Sequence, residues 1–380
     1  MEEQKLTICF LGDARTADIF TLRWARYFSE RGHKIHLFSF FPFDGENKEN
    51  NIELHVIKMK FPNAGRIKNI FANFPLNLIQ IRKEIKKIKP DIIHAQCVTS
   101  YGKLAGFLSF HPLVITAWGS DILINPHESL TAKIGTKYIL KKADLITCDA
   151  EHMKEAMIKL GTTPSKIKII NFGIDTQKFC PGPKDKSLIE NLGISDYQIV
   201  ISLRSLEPVY DIETLIRAVP LVFKEAPETR FMIAGTGSQE KQLKNLSKSL
   251  KVDEKVIFTG WISNETLPNY LRTSDVYVST SLSDGGIASS TAEAMSCGLP
   301  VVITDFGDNR KWIKDRENGF IFQAKNPGSL AQKIIYLLKN EDVRKKIGEQ
   351  GRKTIKEKND YRVEMSKMEE IYKELINLKL

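Results

Sequence analysis

No run in the 380-residue chain approaches the ~20 uninterrupted apolar positions that a membrane-spanning helix needs. The first residues, MEEQKLTICF, lead straight into a strand pattern without the charged-then-apolar layout of a signal peptide, so the expected compartment is the cytoplasm. Cysteine is scarce and scattered. Cys9, Cys97, Cys148, Cys180 and Cys297 form no CxxC pair and no Cys/His group at metal-ligand spacing, which excludes a disulfide framework and a thiolate zinc site. Cys9 and Cys148 fall in apolar runs, where a thiol acts as a small hydrophobe. What is present is ordinary for a globular chain: 42% apolar and 27% charged residues, in a length that allows two domains with a core each.

Charge is unevenly shared. Residues 1–190 carry 28 basic against 20 acidic side chains, so this half holds +8 of the net +10. The excess thickens between Lys58 and Lys89, with Lys60, Arg66, Lys68, Arg82, Lys83, Lys86 and Lys87, and with Phe61, Phe71 and Phe74 interleaved. Such a segment suits an anionic partner, above all a phospholipid surface or a lipid-linked phosphate. A solvated helix face is the plainer reading of the same run. No nucleic-acid recognition motif accompanies it, so nucleic acid is not an expected partner.

Strand and helix signals alternate almost throughout, which predicts an α/β protein of parallel sheets covered by helices. Strands are expected at 6–11, 35–40, 52–59, 91–94, 113–117, 145–148 and 167–170, then at 199–203, 230–234, 256–259, 276–279, 301–304 and 319–322. In the helix between the first two, Phe20, Trp24, Tyr27 and Phe28 share a face and Gly32 provides the stop. The Pro/Gly/Lys-rich CPGPKDKS after Phe179 reads as an interdomain linker. Later helices are expected at 212–225, 239–250, 264–273, 290–296 and 329–340, followed by a long charged amphipathic stretch from 342 to 380. The implied organisation is two Rossmann-like domains, 1–180 and 187–361, facing a central cleft, with a C-terminal helix of about 362–380 packing back on the first.

The segment richest in chemistry is STSLSDGGIASSTAEAMSCGLPVVITD, from Ser279 to Asp305. It leaves a strand, crosses Asp284, Gly285 and Gly286, enters a helix carrying Glu293, and returns through Gly298 and Pro300 to another strand. The glycines let backbone N–H groups approach a ligand, and the helix start aims more of them at the same spot, which favours a diphosphate. Ser289, Ser290 or Thr291 can cap that helix or donate to a phosphate. A carboxylate at Glu293 can accept from two ribose hydroxyls, and Asp284 can do the same for a sugar ring.

This segment resembles the signature of family-4 retaining glycosyltransferases of the GT-B fold, in which an acid, a glycine loop and a second glutamate precede A-M-x-x-G-x-P-V-V. The run from Glu293 to Val302 matches its second half. Other segments agree in order: Arg31-Gly32-His33-Lys34-Ile35, Lys89-Pro90-Asp91-Ile92-Ile93-His94, Gly119-Ser120-Asp121, Ala143-Asp144-Leu145-Ile146, Asn171-Phe172-Gly173-Ile174-Asp175, Ala234-Gly235-Thr236-Gly237, Phe258-Thr259-Gly260-Trp261-Ile262 and Ser274-Asp275-Val276. The resemblance implies a nucleotide-diphosphate sugar, of UDP or GDP type, seated on the C-terminal domain. Glu293 would hold the ribose, and Trp261 and Ile262 would meet the base. Gly235 and Gly237 would shape a turn beside the nucleotide. Gly285, Gly286, Ile287, Ala288 and Ser289 would line the phosphates. Arg204 would neutralise the leaving diphosphate, so that no cofactor and no metal is needed. Gly12 would approach the diphosphate from the other domain, and Trp118 and Gly119 would border the acceptor.

Three positions depart from the family pattern. The first acid sits nine residues before Glu293, at Asp284, where the family spacing falls on Gly285. Tyr210 stands where a lysine is common, and Trp118 where a histidine often precedes the Gly-Ser-Asp. Arg204, Asp284, Glu293 and Asp121 are the expected catalytic group, with Tyr210 expected to donate to a donor phosphate; Asp121 equally suits a turn cap or a substrate contact, and His94 reads first as a structural histidine. The expected function is retaining transfer of a sugar from a nucleotide to an acceptor hydroxyl, on a glycan or a lipid-linked acceptor, in polysaccharide, lipopolysaccharide or glycolipid synthesis. A non-catalytic nucleotide-sugar-binding protein and an epimerase or hydrolase of the same fold are the alternatives.

Overall fold

The computed structural model describes residues 4–15, 19–43, 51–58, 66–284 and 286–378; in two helices only the backbone is described, at 19–20 and 66–72. The chain divides into two compact units, Met1–Phe172 with Arg362–Leu380, and Gly173–Tyr361.

Among the described residues the first unit holds seven strands: β1 (Thr7–Leu11), β2 (Lys34–Ser39), β3 (Ile52–Val56), β4 (Ile92–Gln96), β5 (Leu113–Thr116), β6 (Leu145–Cys148) and β7 (Ile167–Ile169). They form one sheet in the order β3-β2-β1-β4-β5-β6-β7, every pair parallel. The strands read as near-continuous apolar runs because both faces are covered. On one face Cys9, Leu11, Phe38, Ile93 and Ile115 pack with Ile81, Leu104, Ile139 and Met153 from helices. On the other, Phe28 lies 6.0 Å from Phe10 and is stacked at 5.0 Å on Tyr372 of the C-terminal helix Tyr361–Asn377.

The helix Ile19–Glu30 ends at Gly32, whose φ of 85° only glycine adopts without strain. Gly32 N–H donates to Ser29 O and His33 N–H to Phe28 O, a Schellman closure. The residues around that stop then dock the last helix: Arg31 Nε lies 2.6 Å from Glu369, and His33 lies 3.4 Å from the same carboxylate while accepting from Leu6 N–H. His94 is wholly enclosed, with Nδ1 on the Tyr372 hydroxyl and Nε2 2.6 Å from Thr116 Oγ1. Both ring nitrogens are thus satisfied inside the core, and the residue is structural.

The second unit repeats the plan with β8 (Gln198–Ser202), β9 (Thr229–Ala234), β10 (Val256–Gly260), β11 (Val276–Ser279), β12 (Val301–Thr304) and β13 (Phe320–Phe322), in the order β10-β9-β8-β11-β12-β13. Its core joins Val200, Phe231, Ile233, Val278 and Val302 to Leu215, Val219 and Ile334. In each unit the winding reverses between the first strand and the fourth, which are neighbours. The fold class is therefore α/β with two Rossmann-like units.

One sequence expectation changes. The Pro/Gly/Lys-rich segment after Phe179 is no tether: the division falls earlier, after Phe172. Ser296 Oγ and Arg352 Nη1 donate to Phe179 O at 2.6 and 3.2 Å, and Arg272 Nε donates to Cys180 O at 2.8 Å. Buried Ser296 and half-buried Arg352 and Arg272 claim those carbonyls, so the prolines and glycines serve packing instead of flexibility. The charged stretch beyond 342 holds two helices, Glu341–Lys358 and Tyr361–Asn377, the second close to the C-terminal helix expected at about 362–380 and, as expected, part of the first unit. The break lies where Ile174 N–H donates to Asn359 O and Tyr361 N–H to Ile174 O.

Burial pulls His94 down from 6.5 to about 3. The unfolded chain therefore binds a proton near pH 6.5 that the folded chain refuses until far lower. The His94 contribution is complete above pH 6.5 and declines by roughly 1.4 kcal/mol per unit as the pH falls toward 3. Melting temperatures between pH 7.5 and 5 should drop less steeply in His94→Gln than in the parent. Tyr372→Phe keeps the ring stack and strands the imidazole, and should cost about 1–3 kcal/mol in urea denaturation.

Candidate active site

In open parallel sheets ligands bind beyond the carboxyl ends of the strands, where the winding reverses. In the second unit that place lies between β8 and β11. Arg204 follows β8 and Asp284 follows β11. Arg204 Nη2 donates to Asp284 Oδ1 at 2.6 Å, with side chains only 11% and 8% exposed. The guanidinium lies 4.4 Å over the Tyr210 ring and makes long contacts of 3.5 and 3.4 Å to Ser290 Oγ and Ser281 Oγ. Its Nε is buried and has no hydrogen-bond partner among the described residues. Burial pushes the Asp284 carboxyl up, and the adjacent guanidinium pulls against that shift.

Two glycines hold the arginine's main chain. A Cβ on Gly235, whose φ is 140°, would lie 2.5 Å from Arg204 O, and one on Gly237 would lie 2.4 Å from Leu206 O. Leu206 N–H donates to Thr236 O and Gln239 N–H to Leu206 O, so the loop after β9 is laid directly on the Arg204–Leu206 backbone. Glu207 adds a side-chain tie, accepting from Ser238 N–H at 2.8 Å.

The helix Ser289–Ser296 begins at Ala288, and no side chain caps it. This corrects the expectation for Ser289, Ser290 and Thr291: alanine occupies the cap position and has no oxygen to offer. Ser290 Oγ turns instead to the hydroxyl of buried Tyr277 at 2.8 Å, and Thr291 Oγ1 donates to the same hydroxyl at 3.4 Å. First-turn N–H groups without side-chain acceptors make a place for an anion. Gly286 and Ile287 are buried ahead of the helix, and Gly285 lies outside the described residues. Glu293, one turn in, is 4% exposed. Trp261, 72% exposed, and half-buried Ile262 follow β10, two strands away from β8.

The first unit has its own reversal, between β1 and β4. Gly12 follows β1, and a Cβ there would strike Thr21 Cγ2 at 2.6 Å. Opposite, at the end of β4, lies Gln96, which sequence reasoning passed over. Its amide is buried and neither polar atom has a partner among the described residues. A polar residue closing an apolar strand was the only signal. Trp118 packs edge-on against Trp24, and Gly119 adopts a φ of 123°. Asp121, expected to serve either the turn or the substrate, serves the turn. Its carboxylate is buried and accepts from Val98, Trp118 and Gly119 N–H at 2.9, 3.1 and 3.0 Å. It is a positioning residue for the Trp118 loop, because three backbone donors already claim it. Tyr277, the buried support behind Ser290, was also missed; on sequence it is one more strand residue.

Two Rossmann-like units with a buried arginine and an uncapped helix at one reversal define a GT-B protein. A family model for glycosyl transferases group 1 matches residues 184–354, and one for glycosyl transferase 4-like proteins matches 7–150. The chain is 26% identical over 245 residues to an uncharacterized glycosyltransferase of Methanocaldococcus jannaschii, covering 63% of this chain and 61% of that one. It is 28% identical over 278 residues to the UDP-Gal:alpha-D-GlcNAc-diphosphoundecaprenol alpha-1,3-galactosyltransferase of Escherichia coli, covering 68% and 69%. The crystal structure of Anabaena HepE in complex with UDP-glucose superposes with a TM-score of 0.80 at 21% identity, covering 97% of this chain and 100% of that one. The chain belongs to the group 1 glycosyltransferases of the family-4 type.

Asp284→Ala would leave a buried guanidinium without its counter-charge and should destabilise the second unit by about 3–5 kcal/mol. Pyrophosphate should restore part of the lost melting temperature by taking the place of the carboxylate. A variant melt indifferent to pyrophosphate would show that Arg204 does not face the anion site.

Proposed function

We propose that the protein is a retaining glycosyltransferase that takes a hexosyl group from a UDP- or GDP-sugar. The observation that carries this reading is the buried Arg204, with an unpartnered Nε, at the strand reversal beside an uncapped helix. A diphosphate there meets a planar donor fork and the helix N–H groups together, and it competes with Asp284 for the guanidinium. Glu293 holds the ribose hydroxyls, Trp261 and Ile262 flank the base, and Gly286 to Ser289 line the phosphates. Within the first unit, the Gln96 amide, unpartnered among the described residues, suits a sugar or acceptor hydroxyl.

The acceptor oxygen attacks the anomeric carbon on the face from which the diphosphate departs. The anomeric C–O bond breaks as the new one forms, and the acceptor proton passes to the departing phosphate oxygen. Arg204 stabilises the charge that builds on the leaving group, and no covalent nucleophile takes part. Arg204 and the helix start supply positive potential in place of a divalent ion.

The acceptor is membrane-borne, such as a lipid-linked glycan of a cell-surface polysaccharide or glycolipid pathway. No described helix is long and apolar enough to cross a membrane. The helix Arg66–Ile88 exposes Leu76, Ile79, Arg82, Lys83 and Lys86, whereas residues 59–65 of the basic segment lie outside the described chain. A second helix adds to this face, Leu130–Lys142, with exposed Leu130, Ile134 and Tyr138 beside Lys133, Lys137 and Lys141. Phe107 joins the two, 5.3 Å from Phe74 and 5.2 Å from Tyr138. Basic residues interleaved with apolar ones suit an anionic lipid surface.

Thermal stabilisation across a panel of nucleotide sugars tests the donor. One UDP- or GDP-sugar should raise the melting temperature, and Arg204→Ala and Glu293→Ala should each abolish the shift. Binding without transfer to any lipid or glycan acceptor would establish a non-catalytic sensor instead. Sugar products formed without acceptor would establish an epimerase or hydrolase. Sedimentation with phosphatidylglycerol vesicles, but not with neutral ones, should follow the basic face and weaken in a Lys133→Glu, Lys137→Glu, Lys141→Glu variant.

A further inference from the structure

We propose that His36, Glu53 and His55 form a binding site for a single divalent transition-metal ion, best fitted to zinc, that clips the edge strand β3 to β2. These strands pair with His36 opposite Glu53 and Phe38 opposite His55, and alternate residues share a face, so the three side chains meet on one side of the sheet. His36 Nδ1 lies 3.0 Å from His55 Nε2 and 3.3 Å from Glu53 Oε2, and His55 Nε2 lies 3.5 Å from Glu53 Oε1. Ligands on a tetrahedral zinc, at bonds of about 2.0–2.1 Å, lie about 3.3–3.4 Å apart. The two ring nitrogens sit slightly closer than that, Glu53 faces them with a different oxygen each, and one ligand atom from each residue can be chosen so that all three lie within 4.8 Å of one another, so a small turn of the Glu53 carboxylate brings one oxygen to zinc distance.

The chemistry of the three groups points the same way. An imidazole is mostly neutral near pH 7, and that is the form that binds a metal. Two neutral rings and a carboxylate then bring lone pairs to one point, and a single imidazole proton cannot satisfy all three contacts. A cation does. Coordination takes His36 as its Nε2–H tautomer and His55 as its Nδ1–H tautomer; each ring keeps one proton and none is released. Two imidazoles and a carboxylate suit zinc better than magnesium or calcium. Phe38, stacked on His55 at 4.6 Å, holds that ring in plane. Glu84 of the neighbouring helix adds negative potential, tempered by Lys87, which pairs with it. His36 Nε2 has no acceptor among the described residues, so the site lacks one supporting hydrogen bond and its affinity should be moderate.

The test uses tag-free, chelator-washed protein titrated with Zn²⁺ against a chromophoric chelator, with melting followed in parallel. One equivalent should bind and raise the melting temperature in proportion to free zinc. Co²⁺ at the same stoichiometry should give the visible absorption of a four-coordinate ion without thiolate bands. His36 is buried and its loss endangers the fold, so the decisive variants are the accessible ones. His55→Ala should abolish both signals, and Glu53→Gln should weaken binding by about tenfold or more. Cys97→Ser and Cys180→Ser should bind as the parent does. No stoichiometric binding, or binding unchanged in His55→Ala and Glu53→Gln, would overturn the assignment and leave a hydrogen-bonded histidine pair.

Discussion

A guanidinium ion withdrawn from water is the constraint around which the second unit is built. Burying a charge is costly unless it is paired and hydrogen-bonded. Asp284, arriving from β11, answers the charge of Arg204, and Tyr210 gives it an aromatic face. Gly235 and Gly237 allow the neighbouring loop to lie close enough to hold the main chain beneath it. Tyr277 and Ser290 complete the wall from the helix side. Each of these residues is intelligible as support for one ion, and Nε is the part of that ion left without a hydrogen-bond partner among the described residues.

The first unit solves a different problem with similar economy. Its sheet ends its covering with a helix from the far end of the chain, and the residues that receive that helix are those of two conspicuous motifs. Arg31 and His33 take Glu369, and His94 takes Tyr372. The His94 case shows why a histidine after an apolar strand is a poor catalytic candidate on sequence alone. Its environment holds it neutral and leaves neither nitrogen available.

The two sheets were legible because parallel strands buried on both faces leave short apolar runs, and because glycines mark where the chain turns back. Strand limits moved by only a residue or two, except that β3 ends at Val56, three residues short of the expected 59. What was not legible depends on register and side-chain direction. His36 and His55 meet only because β2 pairs with β3 at one offset, which no local pattern encodes. Asp121 looked as suited to substrate as to a turn until three N–H groups were found on its carboxylate. The linker reading failed because proline and glycine content does not reveal that Arg272 and Arg352 already hold the carbonyls there. The helix Leu130–Lys142 went unremarked because its lysines are spaced along a face instead of clustered in sequence.

The bond between His94 and Tyr372 spans 278 residues. During synthesis the strands of the first unit leave the ribosome well before the helix that covers Phe28 and His94, which follows them by hundreds of residues. The second unit, from Gly173 to Tyr361, lies wholly inside that interval. It can therefore reach its final form on the nascent chain while the first unit still shows an open apolar face, which stays uncovered until that helix is made.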